Sequence, residues 1–427
     1  MTRKTPVTTK PLLRILCLAM ILFSACAVVA PPAPTLTPIP TRAQPTPSPL
    51  PPTATLAPSA TSEPTATPYP TPDYPPQGMG PTNFPADVNP LTGLKVADPA
   101  ALDRRPLLIK VENLPRDDRP QFGLSRADLV YEYYTEQGGT RFAVIFYGTD
   151  AEKVGPIRSG RFFDTMLVPM YRAVFVFGSA YWAVWNRIVN SDFSSRLVLE
   201  NNFSCPALCR FEPEKRNFLM ANTAEMNAYL KSRGIDNTRQ ALDGMFFQMQ
   251  PPEGGEEGSR VFVRYSGAIY NRWDYDSVSG RYLRFVDAQN DVNRNNEVYV
   301  QLTDQLTGEP IAADNVVTMC VPHQYFYRSN EIEVVEILLD PNAGRYTACD
   351  GQQYDGGSGP AWLARDGKVY RVTYRRAGKD TPLTLLGSDG QPFPFKPGQT
   401  WFEVIGASSK VEQQADGAWR FTFGIVP

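Results

Sequence analysis

Histidine is nearly missing from this chain of 427 residues: His323 is the single one. A Ser-His-Asp or Cys-His triad, an HExxH zinc site or a multi-histidine metal centre would each have to rest on that one residue, so these chemistries are set aside. Net charge is equally scarce, −2 from 42 basic and 44 acidic residues, and supplies no bulk attraction to nucleic acid or to anionic lipid. No nucleic-acid partner is expected. The glycine cluster Gly356-Gly357-Ser358-Gly359 lacks a following Gly-Lys-Ser/Thr, which makes it a flexible loop rather than a phosphate cradle. The apolar stretch Ile15 to Ala30 is shorter than the ~20 residues a membrane span requires.

What is present begins with an export signal. Arg3, Lys4, Lys10 and Arg14 form a positive n-region ahead of the apolar run Ile15 to Phe23, so residues 1–25 are expected to be a signal peptide. Phe23-Ser24-Ala25-Cys26 resembles a bacterial lipobox, with Phe23 where leucine is more usual, and it makes Cys26 the candidate lipidation site. The alternative, an uncleaved anchor, has the same orientation; either way the expected location is extracytoplasmic, anchored to the cell membrane, with the membrane as partner through an N-terminal lipid. Residues 26–82 then run through Pro, Thr, Ala and Ser, with Arg42, Glu63 and Asp73 the only charges from Ala30 to Pro76. Such a stretch builds no core and reads as a disordered stalk, able to span up to roughly 140 Å at ~3.1 Å per residue.

With 42% hydrophobic and 11% aromatic residues, the remainder is long enough for two domains. Residues 83–250 mix strand candidates (Pro106 to Val111, Leu129 to Tyr134, Arg141 to Tyr147, Ala173 to Gly178) with helix candidates (Phe162 to Tyr171, Ala180 to Val189, Thr223 to Arg233). Residues 251–427 alternate short Val/Tyr/Phe/Thr runs with turn clusters, including a hairpin around Ser277-Val278-Ser279-Gly280. The expected fold class is α+β, an α/β-like first domain and a β-rich second domain after the Pro/Thr-rich stalk.

Pro90-Leu91-Thr92-Gly93, Arg119-Pro120-Gln121, Ala127-Asp128-Leu129-Val130-Tyr131-Glu132, Thr140-Arg141-Phe142, Gly155 to Arg161, Tyr282-Leu283-Arg284, Ala313-Asp314-Asn315-Val316-Val317 and Lys396-Pro397-Gly398-Gln399-Thr400-Trp401 occur in an order that closely resembles the YerB-like bacterial lipoprotein family. The resemblance covers about Asn89 to Ile405. It implies an envelope lipoprotein of two domains and assigns no reaction.

The candidate ligand site is Asn113, Glu132, Glu136, Arg141, Arg158, Ser159 and Arg161. Arg158 and Arg161 flank Ser159 ahead of a helix candidate, where free N–H groups and the helix dipole favour an anion. Arginines with nearby carboxylates form either a seat for a phosphate or carboxylate, such as an anionic or glycan envelope ligand, or a set of structural ion pairs. Cys205, Cys209, Cys320 and Cys349 are disulfide candidates, one pair in each domain. Asp291-Val292-Asn293-Arg294-Asn295 begins like a calcium loop, but Asn296 replaces the turn glycine and Leu302 the bidentate glutamate, so it is expected to be a polar turn. No metal and no cofactor is expected. Two functions remain open: a membrane-anchored lipoprotein binding a ligand or partner outside the cytoplasm, and an enzyme acting on a phosphorylated or lipid-linked envelope precursor. The second has a motif behind it, since Arg126-Ala127-Asp128 followed by strands and an arginine loop is similar to the LytR-CpsA-Psr glycopolymer transferases.

Overall fold

A computed structural model of the chain describes residues 74–328 and 331–425; the leader, Cys26 and most of the Pro/Thr-rich stretch lie outside them. The chain enters through β1 (Leu107–Glu112), β2 (Leu129–Tyr134), β3 (Thr140–Phe146), α1 (Asp164–Met170), β4 (Val174–Val176), α2 (Trp182–Val189), β5 (Leu197–Val198), the hairpin β6 (Leu208–Phe211) and β7 (Phe218–Ala221), and α3 (Thr223–Ser232). Everything regular that follows among the described residues is strand. The composition explains the balance: β-branched and aromatic residues crowd the strands, while Pro169 lies inside α1, which runs for only 7 residues. At α3, Asn222 accepts the N–H groups of Ala224 and Glu225 at 3.1 and 3.3 Å, the N-cap such a helix start requires. The fold is α+β with strand well ahead of helix.

Eleven strands make one sheet. Its path runs Thr384–Leu386, Lys368–Arg375, Ser358–Arg365, Asn315–Val321, Thr400–Gly406, β2, β3, β1, β4, β5, with the short Glu256–Glu257 strand pairing off Lys368–Arg375. Strands from both sides of residue 250 therefore share it. The junction is Thr400–Gly406, parallel to both β2 and Asn315–Val321; it is buried along its whole length, as a central strand covered on both faces must be. A second sheet of seven strands contains Arg260–Arg264, the expected hairpin Tyr270–Asp276 with Arg281–Asp287, and Trp419–Thr422.

Period-2 alternation sorts the core into two layers. Val111, Val130, Phe142 and Val144 pack against Val261, Val263, Trp273 and Trp419 of the second sheet. Leu108, Tyr131, Ala143 and Ile145 face the other way, against Phe163, Leu167 and Val168 around α1 and Val184 and Ile188 of α2. Cys205 with Cys209 and Cys320 with Cys349 form disulfides, with Cα separations of 5.0 and 6.2 Å. No helix among the described residues is long and apolar enough to cross a membrane.

Candidate functional site

The seven candidate residues fall on both faces of the large sheet. Tyr133, Arg141 and Glu112 lie opposite one another across β2, β3 and β1, and Lys110, two residues from Glu112, shares their face. Glu132 is one residue from Tyr133 and Asn113 one beyond Glu112, so both turn to the opposite face.

On the helix-covered face, Arg161 Nε donates to Glu136 Oε2 at 2.7 Å and its Nη2 to Oε1 of the same carboxylate. Arg141 Nη2 stands 3.9 Å from Glu136, and Arg141 Nη1 donates to the Ser159 carbonyl at 2.7 Å. Ser159 thus enters the cluster through its backbone; its hydroxyl meets Ser179 Oγ at 2.8 Å. Beneath lies Lys110, wholly buried, against the Tyr133 hydroxyl and 3.4 Å from Asp164. Burial pushes the Lys110 amine down to about 7, Asp164 opposing and Arg141 and Arg161 adding to the fall. Burial and the neighbouring Arg161 bring Arg141 down to about 10. At the helix start the N–H groups of Asp164, Thr165 and Met166 are taken by the carbonyls of Arg161, Phe162 and Phe163, and the Asp164 carboxylate accepts the Arg161 N–H at 2.7 Å.

Arg158 leaves this group. Its N–H bonds the Lys110 carbonyl at 3.0 Å, and its side chain turns to pair with Glu112 at a cavity of about 420 Å³ bounded by Glu112, Asp118, Arg158, Arg210, Arg216 and Phe218. Arg216 Nη1 donates to Asp118 at 2.6 Å. Arg210, on β6, holds Glu200 through two bonds of 2.7 and 2.6 Å. The Arg158 side chain is 46% exposed, whereas Glu112 is 5% exposed. Burial pushes the Glu112 carboxyl up to about 7 against the pull of Arg158.

On the opposite face Glu132 belongs to a dry cluster between the sheets. Its Oε1 accepts from Asn113 Nδ2 at 3.0 Å and Thr140 Oγ1 at 2.6 Å. Its Oε2 accepts from Asn271 at 3.2 Å and from Arg284. Glu403, directly across the ladder from Glu132, takes Arg284 Nη1 and Trp273 Nε1, each at 2.8 Å. The Arg284 guanidinium lies 4.4 Å from the Trp401 ring and 4.9 Å from that of Trp273, and all three charged side chains are fully buried. Burial raises the Glu132 pKa, Arg284 opposing and Glu403 adding to the rise.

The roles of Arg216, Arg284 and Glu403 escape a reading of local motifs, because their partners are remote in sequence; Arg284 is 152 residues from Glu132. A charge inside an apolar strand, as in Trp401-Phe402-Glu403-Val404, is the one available signal that a buried partner exists. Other residues of the quoted motifs have structural partners. Asp128 accepts from Asn89 at 2.6 Å and from the Gly148 N–H at 3.2 Å, and Arg119 joins Asn113 to Asp287 of the second sheet.

Residues 91–237 match the N-terminal domain, and residues 261–402 the C-terminal domain, of the family described as protein of unknown function DUF3048. The chain belongs to the DUF3048 family. A curated relative is YerB of Bacillus subtilis (strain 168), described by name as a lipoprotein; it is 27% identical over 328 residues, covering 74% of this chain and 85% of YerB. The crystal structure of Bacillus subtilis YerB superposes with a TM-score of 0.60 at 23% identity, over 75% of this chain and 97% of that one, so the DUF3048 fold is common to both. The Glu132–Arg284 bridge ties the two DUF3048 segments together, one residue in each.

Proposed function

We propose that the chain is a lipid-anchored cell-envelope protein, tethered through Cys26 by its Pro/Thr-rich stalk, that binds an anionic ligand outside the cytoplasm at the Arg158 cavity. The tether is supported by the leader, the lipobox-like Phe23-Ser24-Ala25-Cys26 and kinship with a protein described as a lipoprotein. Arg158 carries the binding reading. Among the candidate arginines its side chain is the most exposed, and it stands at a cavity beside the Glu112 carboxylate, whose pKa burial raises to about 7. The volume of about 420 Å³ falls in the range of small-molecule sites, and a guanidinium fork suits phosphate or carboxylate. Arg161 and Arg141 are held by Glu136 and backbone carbonyls and do not line the cavity.

Calorimetric titration of pyrophosphate into the full chain in detergent, wild type against Arg158→Ala, tests the site. Loss of a charge-assisted contact is expected to weaken binding ~10- to 100-fold. Stability should change by only about 1 kcal/mol, since the Arg158 side chain is itself nearly half in solvent and the Glu112 pKa of about 7 lets the carboxyl it leaves behind take a proton. Unaltered affinity, or a loss of stability that accounts for the loss of binding, would sink the assignment.

A further inference from the structure

A second basin lies against the seven-stranded sheet, where Arg260–Arg264 and Trp419–Thr422 run side by side. It has a volume of about 400 Å³ and is lined by Arg264, Arg294, Asn295, Asn296, Glu297, Arg420 and Thr422. The lining holds no apolar side chain, and it is unbalanced in hydrogen-bonding capacity. Its one acceptor-only group, Glu297, is already occupied by the Tyr299 hydroxyl at 2.7 Å, Arg264 Nη1 at 2.9 Å and Arg420 Nη1 at 3.0 and 2.9 Å. The donors are not. Among the described residues the Arg294 guanidinium, the Asn295 and Asn296 amides and the Thr422 hydroxyl make no side-chain hydrogen bond or ion pair, and Arg420 uses a single nitrogen.

The basin is also built in advance. Asp291, 3% exposed, organises the 291–296 loop: its Oδ1 accepts the N–H groups of Asn295 and Asn296 at 3.1 and 3.2 Å, and its Oδ2 takes Arg264 Nη1 at 2.9 Å. Its N–H bonds the Gly267 carbonyl at 2.7 Å. This is the segment that begins like a calcium loop, and the residue at its first ligand position is spent on closing a turn. Arg294, at the crest, adopts φ +58°, a conformation a non-glycine residue takes at a cost when the surroundings impose it. Below it the Arg420 guanidinium stacks 4.4 Å from the Phe262 ring, which fixes the plane of its fork while leaving the outer edge open.

From this excess of donors over acceptors, carried on a loop whose backbone Asp291 fixes, we infer that the basin is a second anion seat, suited to a phosphate group and separate from the Arg158 cavity. A tetrahedral oxyanion offers acceptors in several directions, matching donors that come from the loop above and from the strand Trp419–Thr422 below. Arg294 is the ligand-contacting residue; Arg264, buried against Asp291 and Glu297, positions the loop.

The test uses the full chain in detergent and inorganic phosphate as probe, titrated into Arg158→Ala and into Arg158→Ala/Arg294→Ala so that heat from the first cavity does not contribute. Binding that persists in the single variant and weakens at least ~10-fold in the double variant, with sulfate competing and acetate not, supports the seat. The Arg294 side chain has no partner to lose, so the melting temperatures should agree. Absence of phosphate binding in Arg158→Ala, or equal affinity in the two variants, overturns it. A wild-type chain that loses all binding on Arg158→Ala would refute this inference while upholding the Arg158 cavity, so the two failures are distinguishable.

Discussion

Arg284→Met should lower the free energy of unfolding by about 3–5 kcal/mol, the usual consequence of removing one partner from a buried charge cluster. Arg284 stands between Glu132 and Glu403 with no solvent contact for any of the three, and methionine fills the space between Trp401 and Trp273 without supplying charge. The two carboxylates, adjacent across the β2 ladder, are then left facing each other. The pH dependence gives the cause away. In the variant the Glu132 pKa, already raised by burial and by the neighbouring Glu403, rises further above its unfolded value once Arg284 no longer opposes it. A raised folded-state pKa contributes stability that is present below the unfolded pKa and lost as pH rises through the folded one, so the deficit should be largest at pH 7 and above and shrink as pH falls toward 5. Adding Glu132→Gln and Glu403→Gln to the variant should recover much of the loss at pH 7. Urea unfolding across this range is the measurement; a deficit below about 1 kcal/mol, or one independent of pH, would contradict the role given to the cluster.

The Cys320–Cys349 disulfide is the other large contributor. It closes a separation of 29 residues and anchors the chain after the mid-sheet strand Asn315–Val321. Chain-entropy reasoning gives about 3–4 kcal/mol for a loop of this length. The double variant Cys320→Ala/Cys349→Ala is expected to unfold at correspondingly lower urea, whereas removal of Cys205–Cys209, which spans 4 residues, should cost less. Equal effects from the two pairs would show that loop length is not what matters here.

Much of this architecture is legible in the sequence because it depends on local pattern. The β1, β2 and β3 segments announce themselves through apolar and aromatic runs, α3 appears as the candidate Thr223 to Arg233, and the disulfides follow from their placement within each region. The candidate site is a harder case. Glu132 and Arg141 are natural companions when strands are treated as neighbours, yet the period of two puts Glu132 opposite Phe142 and Tyr133 opposite Arg141, which sends the carboxylate to the far face. That much alternation could have foretold. What it could not foretell is the partner, since Arg284 and Glu403 reach Glu132 only through the packing of the second sheet and the parallel insertion of Thr400–Gly406. The same holds for Arg210 and Arg216, brought to Arg158 by the β6–β7 hairpin. The expected helix-start anion seat meets a local obstacle, since the first N–H groups of α1 bond the carbonyls of Arg161, Phe162 and Phe163.

The tether remains the premise on which an envelope role stands. Growing cells expressing wild type and Cys26→Ala with radioactive palmitate, then separating membranes from soluble material, tests it most directly. The account predicts that label and membrane association accompany the wild type and that both vanish in Cys26→Ala; label that survives the substitution would contradict it.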